Sequence, residues 1–224
     1  MAGFAFRQSR PSYQVMNERR RRAHDSKASR RALMDAGTVL FAQNGFAGTT
    51  LDMIAAKAGA NKALVAYHFT SKDGLYQAIL DEAVEAVLAR TAHAADPAGT
   101  PADRLRAHIR ALALALAASP HLCAMLVTEY ARGGQQDLPA AFASLSRIFR
   151  TTDALVREGV GQGAFRDVDT QIVHLAFTGA FVFFVLTGGY RDRLAAEGRW
   201  PFSLPETEGF ADFVADSVVR SLSA

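Results

Sequence analysis

Apolar residues recur at helical spacing through most of the chain, and strand-like alternation of β-branched residues is nearly absent. From Ser26 to Asn44, the positions Leu33, Ala36, Leu40 and Phe41 share one helical face, and Asn44-Gly45 stops the run. Thr49 or Thr50 can cap a short second helix, Leu51 to Ala58, with Asp52 in its first turn and Gly59 at its end. Asn61 can cap a third helix, Lys62 to about Phe69, and Ser71 a fourth, reaching about Thr91. The stretch 96–101 is a loop by its Pro and Gly content. Further helices are predicted over about Ala102–Ala118, from Pro120 to near Gly133-Gly134, over about Leu138–Val160, Val168–Leu186 and Thr207–Leu222. Gly159, Gly161 and Gly163 read as a loop, and Gly188-Gly189 as the end of the Val168 helix. The fold class is all-α, divided into a flexible arm over 1–25, a small helical unit over 26–75 and a larger one over 76–224.

Charge sharpens this division. Residues 1–31 carry nine Lys/Arg against two acids, 32–76 three of each sign, and 77–224 thirteen Arg against seventeen acids. The net charge of +3 therefore conceals an N-terminal excess that peaks at Arg19, Arg20, Arg21 and Arg22. Such an arm suits a polyanion, either nucleic acid or an anionic membrane, and is equally the pattern of a solvated tail. The basic residues are not followed by an apolar stretch of the kind a secretory signal needs. Between Asp169 and Arg191, 21 residues lack any acid, Lys or Arg. That length could span a bilayer, but its Gln171, His174, Thr178 and Thr187 favour a deep core helix or a subunit surface.

The stretch 33–76 holds the chemistry. Two short helices around a turn containing Gly59 form the helix-turn-helix plan, with Ala55 and Ala56 allowing a steep approach. Ile54, Leu64 and Leu40/Phe41 can close its core, leaving the second short helix to enter a major groove. The run Leu33…Leu40-Phe41…Asn44-Gly45-Phe46-Ala47-Gly48-Thr49-Thr50-Leu51…Ile54-Ala55…Ala58-Gly59-Ala60-Asn61-Lys62…Tyr67-His68-Phe69…Ser71-Lys72…Leu75 resembles the DNA-binding region of the TetR family of bacterial repressors. The remainder matches by its helical plan, with the Glu129 helix and the loop Phe165-Arg166-Asp167 similar to the CecR-like branch.

The resemblance implies a ligand-responsive DNA-binding regulator, cytoplasmic and without a cofactor, that sits on a palindromic operator as a homodimer. Thr49 and Thr50 stand where hydroxyls and free amides can hold a phosphate, or simply cap the helix. Tyr67, His68 and Lys72 would meet the DNA backbone, with His68 equally a plain surface residue. A lysine at a helix N-terminus opposes the dipole, so Lys72 reads as functional rather than stabilising. Asn61, Lys62 and Ala63 would meet base edges: Asn suits adenine, Lys guanine and the Ala methyl thymine. The family more often has Val-Ser where this chain has Ala60-Asn61, a departure that bears on operator preference. Arg19–Arg22 would add phosphate or minor-groove contacts.

In the larger unit, the apolar 168–186 helix and the 207–222 helix need a partner surface, which a four-helix bundle from two chains would supply. An effector pocket for a small apolar or aromatic molecule would draw on His121, Met125, Glu129, Tyr130, Phe142, Phe149, His174, Phe177 and Phe181; ordinary core packing is the competing reading. Two other classes stay in view. A helical enzyme would lack any recognisable catalytic set: there is no nucleophile elbow or phosphate-binding loop, and the six histidines lack metal-ligand spacing. Cys123, the one cysteine, excludes an internal disulfide and a multi-cysteine metal site. A membrane-associated helical protein would use the basic arm and the Phe-rich segment.

Overall fold

The computed structural model describes residues 13–92, 94, 96–131, 139–203 and 205–223, with side chains from residue 25 onward apart from 129, 139–142 and 144. Among these, the ordered elements are helices: α1 Tyr13–Gly48, α2 Leu51–Ala58, α3 Lys62–Phe69, α4 Lys72–Thr91, α5 Pro101–Ala117, α6 Pro120–Ala131, α7 Pro139–Gly161, α8 Thr170–Ala196 and α9 Thr207–Leu222. One isolated bridge joins Phe165 to Ser223.

The first helix starts earlier than expected. Its backbone runs from Tyr13, so residues 13–25, read above as a flexible arm, continue α1. Residues 13–36 hold no Gly or Pro and are rich in Arg, Ala and other strong helix formers, which accounts for the extension. The side chains of Arg19–Arg22 lie outside the described residues. The expected stop is found: Gly45 breaks α1 with φ 69° and ψ 175°, a backbone that glycine alone adopts readily.

Caps set the next three boundaries, as the sequence predicts. Thr50 accepts from the Met53 N–H, Asn61 from Ala63 and Ser71 from Gly74. Their common core joins Leu33, Phe41 and Phe46 of α1 to Ile54, Val65, Phe69, Leu75 and Tyr76. Phe41 and Phe46 stack at 5.9 Å, and both meet Tyr76 edge-on at 4.9 and 5.1 Å. Between α3 and α4 the chain turns within three residues. Thr70 takes φ 68° and ψ −45°, and the Ser71 N–H donates to the Phe69 carbonyl at 2.7 Å. This is a γ-turn, a strained geometry for a residue with a Cβ. Its tightness requires Gly74, where a Cβ would stand 2.1 Å from the Phe69 oxygen.

In the larger unit α5 is central, burying Leu105, Ile109 and Leu112. Arg106 and Arg110 reach Asp216 and Asp212 of α9 at 2.6 Å each. Cys123 is buried, and burial pushes its thiol up to about 11. Two glycine expectations are corrected. Gly159 and Gly161 lie within α7, and Phe165 folds back over Gly159 so closely that a Cβ there would meet the ring at 2.1 Å; the left-handed turn comes at Gly163, φ 71°. Likewise α8 runs through Gly188-Gly189 to Ala196. Arg191 bridges that stretch, donating to Thr187 Oγ1 at 2.6 Å and the Phe184 carbonyl at 3.1 Å while lying 4.3 Å over the Phe184 ring. Gly198, φ 66°, closes the helix, and Trp200 beyond it stands edge-on to Phe202 at 5.9 Å.

α8 is long and apolar enough to cross a membrane, with mean hydropathy 1.9 in its most apolar window, yet only 17% of that window is buried. The deep-core expectation is therefore not met within one chain. Ile172, Leu175, Phe183 and Tyr190 form an exposed stripe at helical spacing, with Phe213 exposed on α9. The opposite side of α8 contributes to a buried polar chain absent from the sequence reading. His108 Nε2 and His174 Nδ1 each lie 3.1 Å from the hydroxyl of Thr152, which donates to one ring and accepts from the other. Burial lowers both imidazoles to about 4, with the His174 ring adding to the effect on His108.

Both histidines are neutral in the folded chain, so their contribution is complete above their ordinary pKa of about 6.5 and is lost as pH falls toward 4. Urea denaturation between pH 7 and pH 5 is expected to show a loss of about 2 kcal/mol by pH 5 from buried His108, with a smaller loss from half-buried His174. The double variant His108→Gln/His174→Gln should flatten that slope; a wild-type slope near zero would refute the assignment. Separately, Gly74→Ala is expected to lower stability by about 1–3 kcal/mol through overpacking at the α3–α4 corner, measured by thermal melting.

Candidate nucleic-acid interface and effector region

α2 and α3 form a helix-turn-helix whose turn is closed by the backbone alone. Gly59 is left-handed, φ 61°, with its N–H on the Ala56 carbonyl at 3.2 Å, and the Ala60 N–H reaches the Ala55 carbonyl at 2.9 Å. Val65 and Phe69 turn inward, leaving Lys62, Ala63, Ala66 and Tyr67 exposed on α3, with Asn61 exposed at its cap. Tyr67 is 73% exposed, so most of its ring is open to a partner. Ala66 was missed by the sequence reading; its place one helical turn from Lys62 and Ala63 is the signal that could have found it.

Lys62 reaches Asp52 of α2 at 2.9 Å, with both side chains more than half exposed. Such a pair is worth little and yields readily to a base edge. Thr50 is exposed at the α2 N-terminus. Half-buried His68 is held from behind, its Nε2 2.8 Å from the Ser29 hydroxyl of α1, and it meets the Tyr67 ring edge-on at 4.8 Å.

Two expected contacts are corrected. Thr49 is fully buried, its hydroxyl donating to the carbonyls of Gly45 at 2.8 Å and Leu40 at 3.1 Å, and its amide to Phe46 at 3.2 Å. With hydroxyl and amide both engaged, it closes the end of α1 and is not a phosphate ligand. Lys72 does have a structural role, contrary to the dipole argument. Its ammonium donates to the Phe46 and Thr49 carbonyls at 3.0 Å each and lies 4.1 Å over the Phe46 ring. Two carbonyl acceptors and a ring face outweigh the unfavourable end of the α4 dipole.

Most of the expected effector residues whose side chains are described fall into two groups. Phe149, His174, Phe177 and Phe181 follow one another edge-to-face at 5.2, 5.3 and 6.3 Å. His121 and buried Met125 instead face a cleft of about 210 Å³ against α1 and α4. Tyr130 is 65% exposed and joins neither group. The side chains of Glu129 and Phe142 lie outside the described residues. No cluster of three or more His, Cys, Asp or Glu suited to a metal occurs among the described residues.

Two family models match the chain, together over more than half of its length. Residues 33–79 match "Bacterial regulatory proteins, tetR family", and residues 98–185 match "Tetracyclin repressor-like, C-terminal domain". The match establishes the family and not a branch within it. The HTH-type transcriptional regulator RutR of Escherichia coli (strain K12) is 28% identical over 158 residues, 70% of this chain and 73% of that protein. The HTH-type transcriptional repressor Rv3405c of Mycobacterium tuberculosis is 41% identical over 85 residues, 38% of this chain and 45% of that one. Among solved structures, the transcriptional regulator FadR from Bacillus subtilis in complex with stearoyl-CoA aligns with TM-score 0.66 at 17% identity, covering 85% of this chain and 98% of that one; this likeness is one of fold. The helix-turn-helix geometry and these matches agree: the chain belongs to the TetR family of bacterial transcriptional regulators.

Proposed function

We propose that the chain is a repressor that binds a palindromic operator as a homodimer and is released by a small apolar or aromatic effector. The observation that carries the reading is the open face of α3. Asn61, Lys62, Ala63, Ala66 and Tyr67 are left in solvent by a core that takes every other apolar side of that helix. In a major groove, Asn61 and Lys62 offer hydrogen bonds to base edges and the two alanine methyls offer contacts to thymine. Thr50, Tyr67 and His68 flank that face and suit phosphates. An ammonium has three donors, and Lys72 spends two on carbonyls, so its third suits a phosphate as well.

Arg19–Arg22 would add sequence-independent affinity. Their backbone continues α1, so they would project as a rod some 11 residues, ~16 Å, ahead of the packed Leu33. The exposed stripe of α8 with Phe213 of α9 supports dimerisation through these helices, which the single chain leaves uncovered. In such a dimer the two α3 helices would stand about 34 Å apart, one DNA turn. The effector would act by favouring a different spacing, its differential affinity setting the shift. Phe149, His174, Phe177 and Phe181 are the proposed lining in the regulatory half, opening by rearrangement of the aromatic run. The regulator would act in the cytoplasm without a cofactor.

Selection of binding sites from random DNA is expected to return a palindrome, with affinity falling steeply as salt rises, by about 0.9 in log–log slope per phosphate neutralised. Sequence-blind binding alone would refute specific recognition. Phe183→Glu is expected to convert the dimer to monomer in analytical ultracentrifugation and to cut operator affinity at least tenfold. An unchanged dimer would remove α8 from the interface.

A further inference from the structure

The cleft of about 210 Å³ lies where the two halves of the chain meet. One wall is Arg31, Met34 and Thr38 of α1 with Ile79, Glu82 and Ala83 of α4; the other is the corner between α5 and α6, with Ser119, His121, Leu122 and Met125. Met34, Ile79, Leu122 and Met125 are all buried, so the floor is apolar. Polar groups stand at the rim, with His121 exposed on α6.

We infer that this cleft is a small-molecule site, separate from the aromatic run on α8, and that it takes an uncharged monocyclic molecule with one hydrogen-bonding group. Size sets the first limit. A cavity of 150 Å³ holds one benzene ring, so this volume holds about eight or nine non-hydrogen atoms. Charge sets the second. The Arg31 guanidinium at the rim faces two carboxylates, Asp35 and Glu82, so the local charge is net negative and disfavours an anionic ligand. Ser119, Thr38 and His121 are the groups that can meet a hydroxyl or carbonyl. Thr38 donates to the Met34 carbonyl at 2.8 Å and keeps its acceptor capacity.

Position gives the site its consequence. A molecule touching Met34 and Ile79 on one side and Leu122 and Met125 on the other is bound only while α1 and α4 keep their present distance from α6. Operator binding that moves α1 and α4 against α6 would therefore link the two affinities, each changing the other by the same factor. This linkage does not depend on where the effector of the regulatory half binds.

Methyl-labelled methionine tests it in the full chain. Of five methionines, Met34 and Met125 face the cleft from opposite walls, while Met53 lies on α2. Titration with p-cresol, eight non-hydrogen atoms, is expected to shift the Met34 and Met125 methyl resonances saturably with one dissociation constant and to leave Met53 in place; the Met34→Leu and Met125→Leu variants assign the peaks. Benzoate should bind at least tenfold more weakly. Ala83→Leu, which fills the cleft, should weaken p-cresol at least tenfold with an unchanged circular dichroism spectrum, and Phe177→Leu should change it less than twofold. Absent or unsaturable shifts at Met34 and Met125 would overturn the site, as would greater loss in Phe177→Leu than in Ala83→Leu. With the selected operator present, the p-cresol constant should move by at least threefold. An unmoved constant alongside saturable methyl shifts would overturn the linkage alone.

Discussion

The DNA-reading half hangs on one ammonium group. Gly45 breaks α1 near its end, and Lys72 Nζ, arriving from the start of α4, donates to the Phe46 and Thr49 oxygens on either side of that end. The same charge rests on the face of Phe46, which is fixed against Phe41 and Tyr76. The start of α4 is thereby tied to the residues that lead into α2. α3 is connected to α4 by the γ-turn at Thr70, which Gly74 makes possible. The orientation of the recognition helix thus follows α4, with only a three-residue corner between them.

Contacts farther along α4 reach both ways. Glu82 pairs with Arg31 of α1, while Glu85 pairs with Arg147 of α7. These pairs are about half exposed, and such pairs contribute little to stability and exchange readily. The persistent hold comes from Val84 and Val87, both fully buried. α4 is therefore anchored by apolar packing and only trimmed by surface charges.

The sequence revealed most where a single residue determines local backbone. Thr50, Asn61 and Ser71 cap the helices expected of them, and Gly45 and Gly59 break the chain where predicted. It revealed less where burial depends on distant partners. Thr49 and Thr50 look alike in the sequence, yet one is sealed beneath the end of α1 and the other faces solvent. Lys72 opposes the dipole of its own helix, and the carbonyls it serves belong to residues 23 and 26 positions away. The His108–Thr152–His174 chain joins three helices across separations of 44 and 22 residues, which no local spacing announces. Gly188-Gly189 failed as a helix stop because Arg191 supports the turn before it.

The placement of Trp200 has an optical consequence. It is the chain's one tryptophan, and it sits in the connection between α8 and α9. Its emission therefore reports on the regulatory half alone, while the helix-turn-helix and its corner carry only Tyr67 and Tyr76 as intrinsic fluorophores. Comparing tryptophan emission with far-ultraviolet dichroism during a melt asks, without any added label, whether reader and regulator come apart as one cooperative unit or in sequence.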